Sequence, residues 1–317
     1  MTNAVTLSRW WCAVAVVLGV GGLGAGGIAV FVTKLEAGPV ALLAVGFLFT
    51  IIGMSGRLPS RLKIGEAEAE WEIKESEERI RQQVPEVGAL LDAGGASLDA
   101  ILSGRSPESS PQLDEAAVKV GSLAEEVRWL ESKAGRRTVP PEALLEIGRL
   151  YLAQQDWARA AQYLDYYVQL TDADWEIYLA LGVANMNMRA GSRSDLRALM
   201  AYDHALAIMP ADAPRYLKAR LYSYRAAAKK RLGRLEEAKS DAEIAKSLAE
   251  QSRELIDATY NLAGIEAMLG HRDAALAQIR ELAQLGRMDL VLGHLNDYFV
   301  SLKDDPEFQE LVDTAGV

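Results

Sequence analysis

Three histidines, one cysteine and one glycine-rich run are the features of this 317-residue chain that could do chemistry. His204, His271 and His294 stand apart, and none has the second histidine at i+4 that a helical metal site would offer. No serine sits in the G-x-S-x-G turn that presents a nucleophile. Cys12 is alone, which excludes a disulfide framework and a four-cysteine zinc site. At the edge of an apolar run it is a conceivable acylation site, but a cysteine there is ordinarily packing. Gly19, Gly21 and Gly24 match G-x-G-x-x-G. In a dinucleotide fold that run must be followed by a second strand ending in an acidic residue. Residues 40–53 are wholly apolar and no βαβ unit follows, so the run is not read as a phosphate cradle. No catalytic group, cofactor or metal is expected, and the chain reads as a non-enzyme.

The elements around these residues fall into unlike parts. The chain is half hydrophobic with net charge -10, yet its mean hydropathy is +0.01. Residues 1–60 carry Arg9, Lys34 and Arg57 against Glu36 alone, whereas residues 140–317 hold 20 basic and 27 acidic groups. The near-zero average is therefore a cancellation, and the acid excess argues against nucleic acid as a partner. Within 1–60, residues 10–33 and 37–56 are two uncharged runs of 24 and 20 residues. Each is long enough for a bilayer-crossing helix. Trp10 and Trp11 stand where interfacial indoles belong, and Arg9, Arg57, Arg61 and Lys63 flank the outer ends. The expectation is a two-span transmembrane hairpin with both termini cytoplasmic, as in a bacterial inner or plasma membrane. Gly19, Gly22 and Gly26, with Gly46 and Gly53 on the second run, form small-residue stripes for close helix approach, either within the hairpin or between copies.

Residues 61–139 read as a connector. Residues 62–71 alternate weakly, as a short strand would. Residues 75–84 are charged and helix-prone, with Pro85 interrupting them, and the acid-rich stretch 66–78 reads as a solvated face. Residues 94–111 are rich in Gly, Ser and Pro, the composition of a flexible linker. Residues 116–134 return to helical spacing through Val118, Leu123, Val127 and Leu130.

From residue 141 the sequence repeats. Gly148 and Gly182 are 34 residues apart, and small residues recur where helices would cross. Leu144, Ile147, Gly148, Tyr151, Ala160 and Leu164 mark a first copy. Tyr178, Leu181, Gly182, Ala198, Tyr202, Ala205 and Pro210 mark a second, with about four extra residues assigned to its turn at 190–197. Tyr222, Ala226, Gly233, Ala238 and Ala245 mark a third, and Leu262, Ala263, Gly270, Ala275 and Ile279 a fourth. Residues 302–312 read as a closing helix, with Asp304 or Asp305 as N-cap and Pro306 at N1. Residues 141–312 thus resemble the tetratricopeptide repeat family. The implied fold class is all-α: a solenoid over 140–317, preceded by the hairpin and a partly flexible connector.

In that family the first helix of each repeat lines a concave groove. The matching positions here are Leu145, Glu146, Arg149 and Leu152; Glu176, Leu179, Val183, Met186 and Asn187; Arg220, Tyr224, Lys230 and Arg231; and Tyr260, Asn261 and Met268. The resemblance implies a peptide groove, apolar at one end and basic and aromatic in the middle, suited to an acidic peptide or helix. The carboxylate clamp of chaperone-binding members is absent, because Leu145, Arg149 and Ala180 stand at its first- and second-repeat positions. The expected function is a membrane-anchored, non-catalytic scaffold or adaptor with a protein partner and the lipid bilayer. The alternative is a membrane-active or channel-like homo-oligomer built by the hairpin. The few polar residues of the spans, Thr33, Thr50 and Ser55, favour the anchor.

Overall fold

The computed structural model describes residues 64–102, 109–250 and 252–314. The chain divides into two compact units, Met1–Glu72 and Ile73–Val317, and the second carries the repeats. Its elements are helical: α1 (Ile64–Ala93, entered from the first unit), α2 (Leu98–Leu102), α3 (Pro111–Ala134), α4 (Pro141–Ala153), α5 (Trp157–Leu170), α6 (Trp175–Asn187), α7 (Ser192–Ile208), α8 (Arg215–Arg231), α9 (Leu235–Leu248), α10 (Ser252–Leu269), α11 (Arg272–Gln284), α12 (Met288–Gly293) and α13 (Pro306–Thr314).

The pairs α4/α5, α6/α7, α8/α9 and α10/α11 pack as successive hairpins, and each second helix packs on the first helix of the next pair. This is a tetratricopeptide-like helical repeat. Each first helix ends in a tight turn with a positive-φ residue just after it: Gln155 (58°), Arg189 (50°), Gly233 (76°) and Gly270 (79°), and the second turn adds Gly191 (83°). At Gln155 the Asp156 N–H reaches back to the Tyr151 carbonyl (2.9 Å) and the Gln155 N–H to that of Leu152 (3.0 Å). That pair of bonds satisfies carbonyls the helix end would otherwise leave open. The helices approach closely where side chains are small. A Cβ on Gly148 would stand 3.0 Å from Leu164, and one on Gly182 would lie 2.2 Å from the buried ring of Tyr202. Most of the extra residues of the second repeat lengthen α7 to 17 residues, against 14 in α5, and the turn grows only from three residues (154–156) to four (188–191).

Several expectations are corrected. Among the described residues no helix is long and apolar enough to cross a membrane. On that finding the two-span membrane architecture and location are not supported. The bilayer and a homo-oligomer lose their support as partners with it. The segments 10–33 and 37–56, with Gly19, Gly22, Gly26, Gly46 and Gly53, lie outside the described residues. At 30 residues α1 has the length of a span, but charged residues recur along it and exclude lipid.

The strand expected over 62–71 is helical from Ile64, and Pro85 lies inside α1 without ending it. Nor do the described residues of 73–139 form a loose connector. Ile80, Val87 and Leu91 of α1 and Ala116, Val120, Leu123, Val127 and Leu130 of α3 share one core with Leu144, Ile147 and Tyr163. Arg79 and Ser76 of α1 both donate to the Glu126 carboxylate on α3, at 2.8 and 3.2 Å. Val118 is 76% exposed. The buried stripe of α3 steps by four and three from Ala116, and Val118 falls off it.

Candidate functional site

The first helices α4, α6 and α8 bring part of the expected groove residues against α2. α2 packs against α4 and α6. Its Leu98, Ile101 and Leu102 join the core cluster that contains Leu152 and Leu179, with Leu145, Val183, Met186 and Tyr224 packed at its edge. The backbone of this segment is held as well. Arg149 Nη2 donates to the Ala96 carbonyl at 3.2 Å, and Arg220 Nη1 donates to the Leu102 carbonyl at 2.5 Å. Residues 94–102 thus occupy the face formed by α4, α6 and α8. Gly95, with φ +75°, turns the chain off the end of α1, and Ser97 Oγ accepts from the Ala100 N–H at 3.2 Å to start α2.

The cations expected to hold an acidic partner already face carboxylates. Arg149 pairs with Glu146 (2.8 Å) and with Asp92. Burial pushes the Glu146 carboxyl up while the Arg149 charge opposes it. Arg220 is buried against Glu254, at 3.0 Å from Nε and 2.9 Å from Nη2. Arg231 pairs with Asp195 (3.2 Å) and donates to the Met186 carbonyl (2.9 Å). Burial raises the Asp195 carboxyl, again against the arginine.

Lys230 is different. It is buried, donates to Asn261 Oδ1 at 3.0 Å, and lies 4.7 Å from the Tyr260 ring centroid and 4.2 Å from that of Tyr298. Burial, followed by the Arg231 charge, lowers its amine to about 7. Asn261 is fixed from its other side, Nδ2 donating to the Ser223 carbonyl and hydroxyl at 3.0 Å each.

The fold therefore gathers the predicted residues into two groups. Leu152 and Leu179 share a core cluster with α2, and Val183 and Tyr224 pack at its edge. Lys230, Tyr260 and Asn261 form a second cluster with Tyr298. Asn187 is exposed and bonds only to the Val183 carbonyl of its own helix (2.9 Å). The sequence reading missed Leu98, Ile101 and Leu102 because it assigned 94–111 to a linker. Their i, i+3, i+4 spacing inside a Gly- and Ser-rich stretch was the available signal.

The histidines build no shared site. His204 lies 4.1 Å from Tyr178, centroid to centroid. His271 Nδ1 meets Glu266 at 2.7 Å, and His294 Nδ1 lies 3.2 Å from the Leu290 carbonyl. Among the described residues no three His, Cys, Asp or Glu side chains converge on a metal position. A second concavity, of about 630 Å³, lies over α5, α6 and α7, with Tyr166, Tyr178, Met200 and His204 in its wall.

No protein-family model matches the chain, and no curated protein matches it in sequence. Among solved structures it is similar to a chain in the crystal structure of the APC/C hetero-tetramer Cut9-Hcn1, at 12% identity and a TM-score of 0.37, over 92% of this chain. The match spans 58% of that chain's length. A likeness this distant carries no functional argument. The helical repeat rests on the hairpin packing described above.

Proposed function

We propose that this chain is a non-catalytic protein-interaction scaffold whose first-helix face binds a short aliphatic segment of a protein partner. The observation that supports this reading is the way α4, α6 and α8 hold residues 94–102. Apolar side chains take up Leu98, Ile101 and Leu102, while Arg149 and Arg220 donate to main-chain carbonyls. Carbonyl recognition is indifferent to sequence, and the pockets supply selectivity, which is how helix and peptide grooves divide the work. The arginines' own carboxylates neutralise the face, so the partner is read as aliphatic rather than acidic.

Val183 is half-buried at the edge of this face, and its substitution leaves the hairpin core in place. The full chain and its Val183→Arg variant are used as bait, and proteins captured by the wild type are purified and titrated against both. Direct binding that weakens at least tenfold in a variant with an unchanged melting curve supports the reading. Equal binding to both places the partner elsewhere.

A further inference from the structure

We propose that residues 94–102 act as a built-in competitor on this face, so that a partner binds by displacing them with its own short helix carrying aliphatic side chains at i, i+3 and i+4. This rests on the groove reading above and adds how the groove is kept occupied and what chemistry opens it.

Four observations carry the inference. First, the segment is bound as a ligand would be, through three aliphatic side chains and two main-chain carbonyls, by α4, α6 and α8 of the solenoid. Second, it is not part of the hairpin series. The first and second helices pack on one another in order, and α2 is an addition that touches α4 and α6. Third, it has little structure of its own. α2 is five residues long, far too short to persist as an isolated helix, so its order comes from the face it covers. Fourth, it leaves α1 through Gly94 and Gly95, and nothing lies within 4 Å of where a Gly95 side chain would be. Gly95 is an open pivot, and a swing about it lifts Ala96 out of the α1/α3 core, a loss that the partner's contacts must offset.

Tethering gives the segment a high local concentration, and an untethered partner must overcome it. A partner whose helix fills the same pockets and adds contacts along α8 and α10, beyond the α4 and α6 contacts of α2, does so. The spacing of Leu98, Ile101 and Leu102 states the partner's required pattern.

The test uses a fluorescein-labelled peptide of residues 94–102, titrated against the full wild-type chain and the full Leu98→Asp/Leu102→Asp chain. The variant's own segment no longer fits the pockets, so the peptide is expected to bind it at least tenfold more tightly than wild type. Equal affinity for both chains overturns the self-competition and leaves the groove reading standing. No binding to a folded variant overturns both. Hydrogen exchange on the wild type decides the matter should the variant fail to fold. The Ile101 amide, which bonds to the Ser97 carbonyl at 3.0 Å, is expected to exchange at least tenfold faster than the interior amides of α6. Exchange of both at one common rate shows a fixed piece of the core and overturns the proposal.

Discussion

Gly182 and Tyr202 show how one residue type sets a helix crossing. With no Cβ, Gly182 leaves room for a fully buried tyrosine ring that would stand 2.2 Å from the added carbon. Gly182→Ala is expected to cost about 2 kcal/mol, read as a lower urea midpoint. Gly148→Ala, whose added carbon meets the Leu164 side chain at 3.0 Å rather than 2.2 Å, is expected to cost less.

Lys230 makes stability depend on pH in a definite direction. Its amine is lowered to about 7 in the folded chain, against roughly 10.4 when exposed. Between these values the unfolded chain binds one proton more, so stability rises with pH across the window and the burial cost is present in full below it. Urea melts at pH 6.5 and pH 9 are expected to show wild type gaining on the order of a few kcal/mol relative to Lys230→Met as pH rises. The buried hydroxyls of Tyr202 and Tyr224 are raised by desolvation and act oppositely toward pH 10. They are common to both proteins and cancel in the comparison. A gap that does not change with pH would mean that Lys230 keeps its proton throughout.

At the scale of the element, the repeated turn is the informative unit. Gly233 and Gly270 take the left-handed conformation freely, and Gln155 takes it at a cost. Gln155→Gly is expected to stabilise the chain by about 0.5–1 kcal/mol, seen as a higher melting temperature without a change in helicity. Gly233, Gly270 and the glycine crossings were legible beforehand, because they depend on residue type at fixed local spacing, whereas the second turn, expected at 190–197, lies at 188–191. The register of α3 was legible only in part. Leu123, Val127 and Leu130 are buried as expected, but Val118 faces out, and the stripe is completed by Ala116 and Val120. α2 left only a faint trace, the i, i+3, i+4 spacing of Leu98, Ile101 and Leu102. Its five residues sit in a stretch of linker composition, and what orders them is the face of α4, α6 and α8, brought together from far along the chain.

Across the whole unit, hydrophobic contacts run from α1 to α13 through clusters shared between neighbouring helices. A solenoid of this kind is stabilised chiefly by such interfaces, and its ends need caps. α1 and α3 cap the first pair by covering Leu144, Ile147 and Tyr163. At the other end Phe299 and Phe308 close over Leu276 and Ile279, while Asp305 Oδ1 accepts from the Glu307 and Phe308 N–H groups to start α13. A fragment of residues 140–317 removes the first cap. It is expected to unfold at a lower denaturant concentration than residues 73–317 and to bind a hydrophobic dye, since the faces of α4 and α5 are left bare. Equal midpoints would show that α1 and α3 are dispensable.

What residue order alone decided here is the helical repeat, because tight turns and close crossings restrict residue type at each position whatever lies beyond. Which cations stay available for a partner was a tertiary matter. Arg149, Arg220 and Arg231 look free of distant partners until Asp92, Glu254 and Asp195 are brought beside them, and ion pairing depends on distance in space, not on separation in the chain. The same holds for the occupied face. Leu102 and Arg220 are 118 residues apart, and only the stacking of three helices makes the carbonyl of one the acceptor of the other.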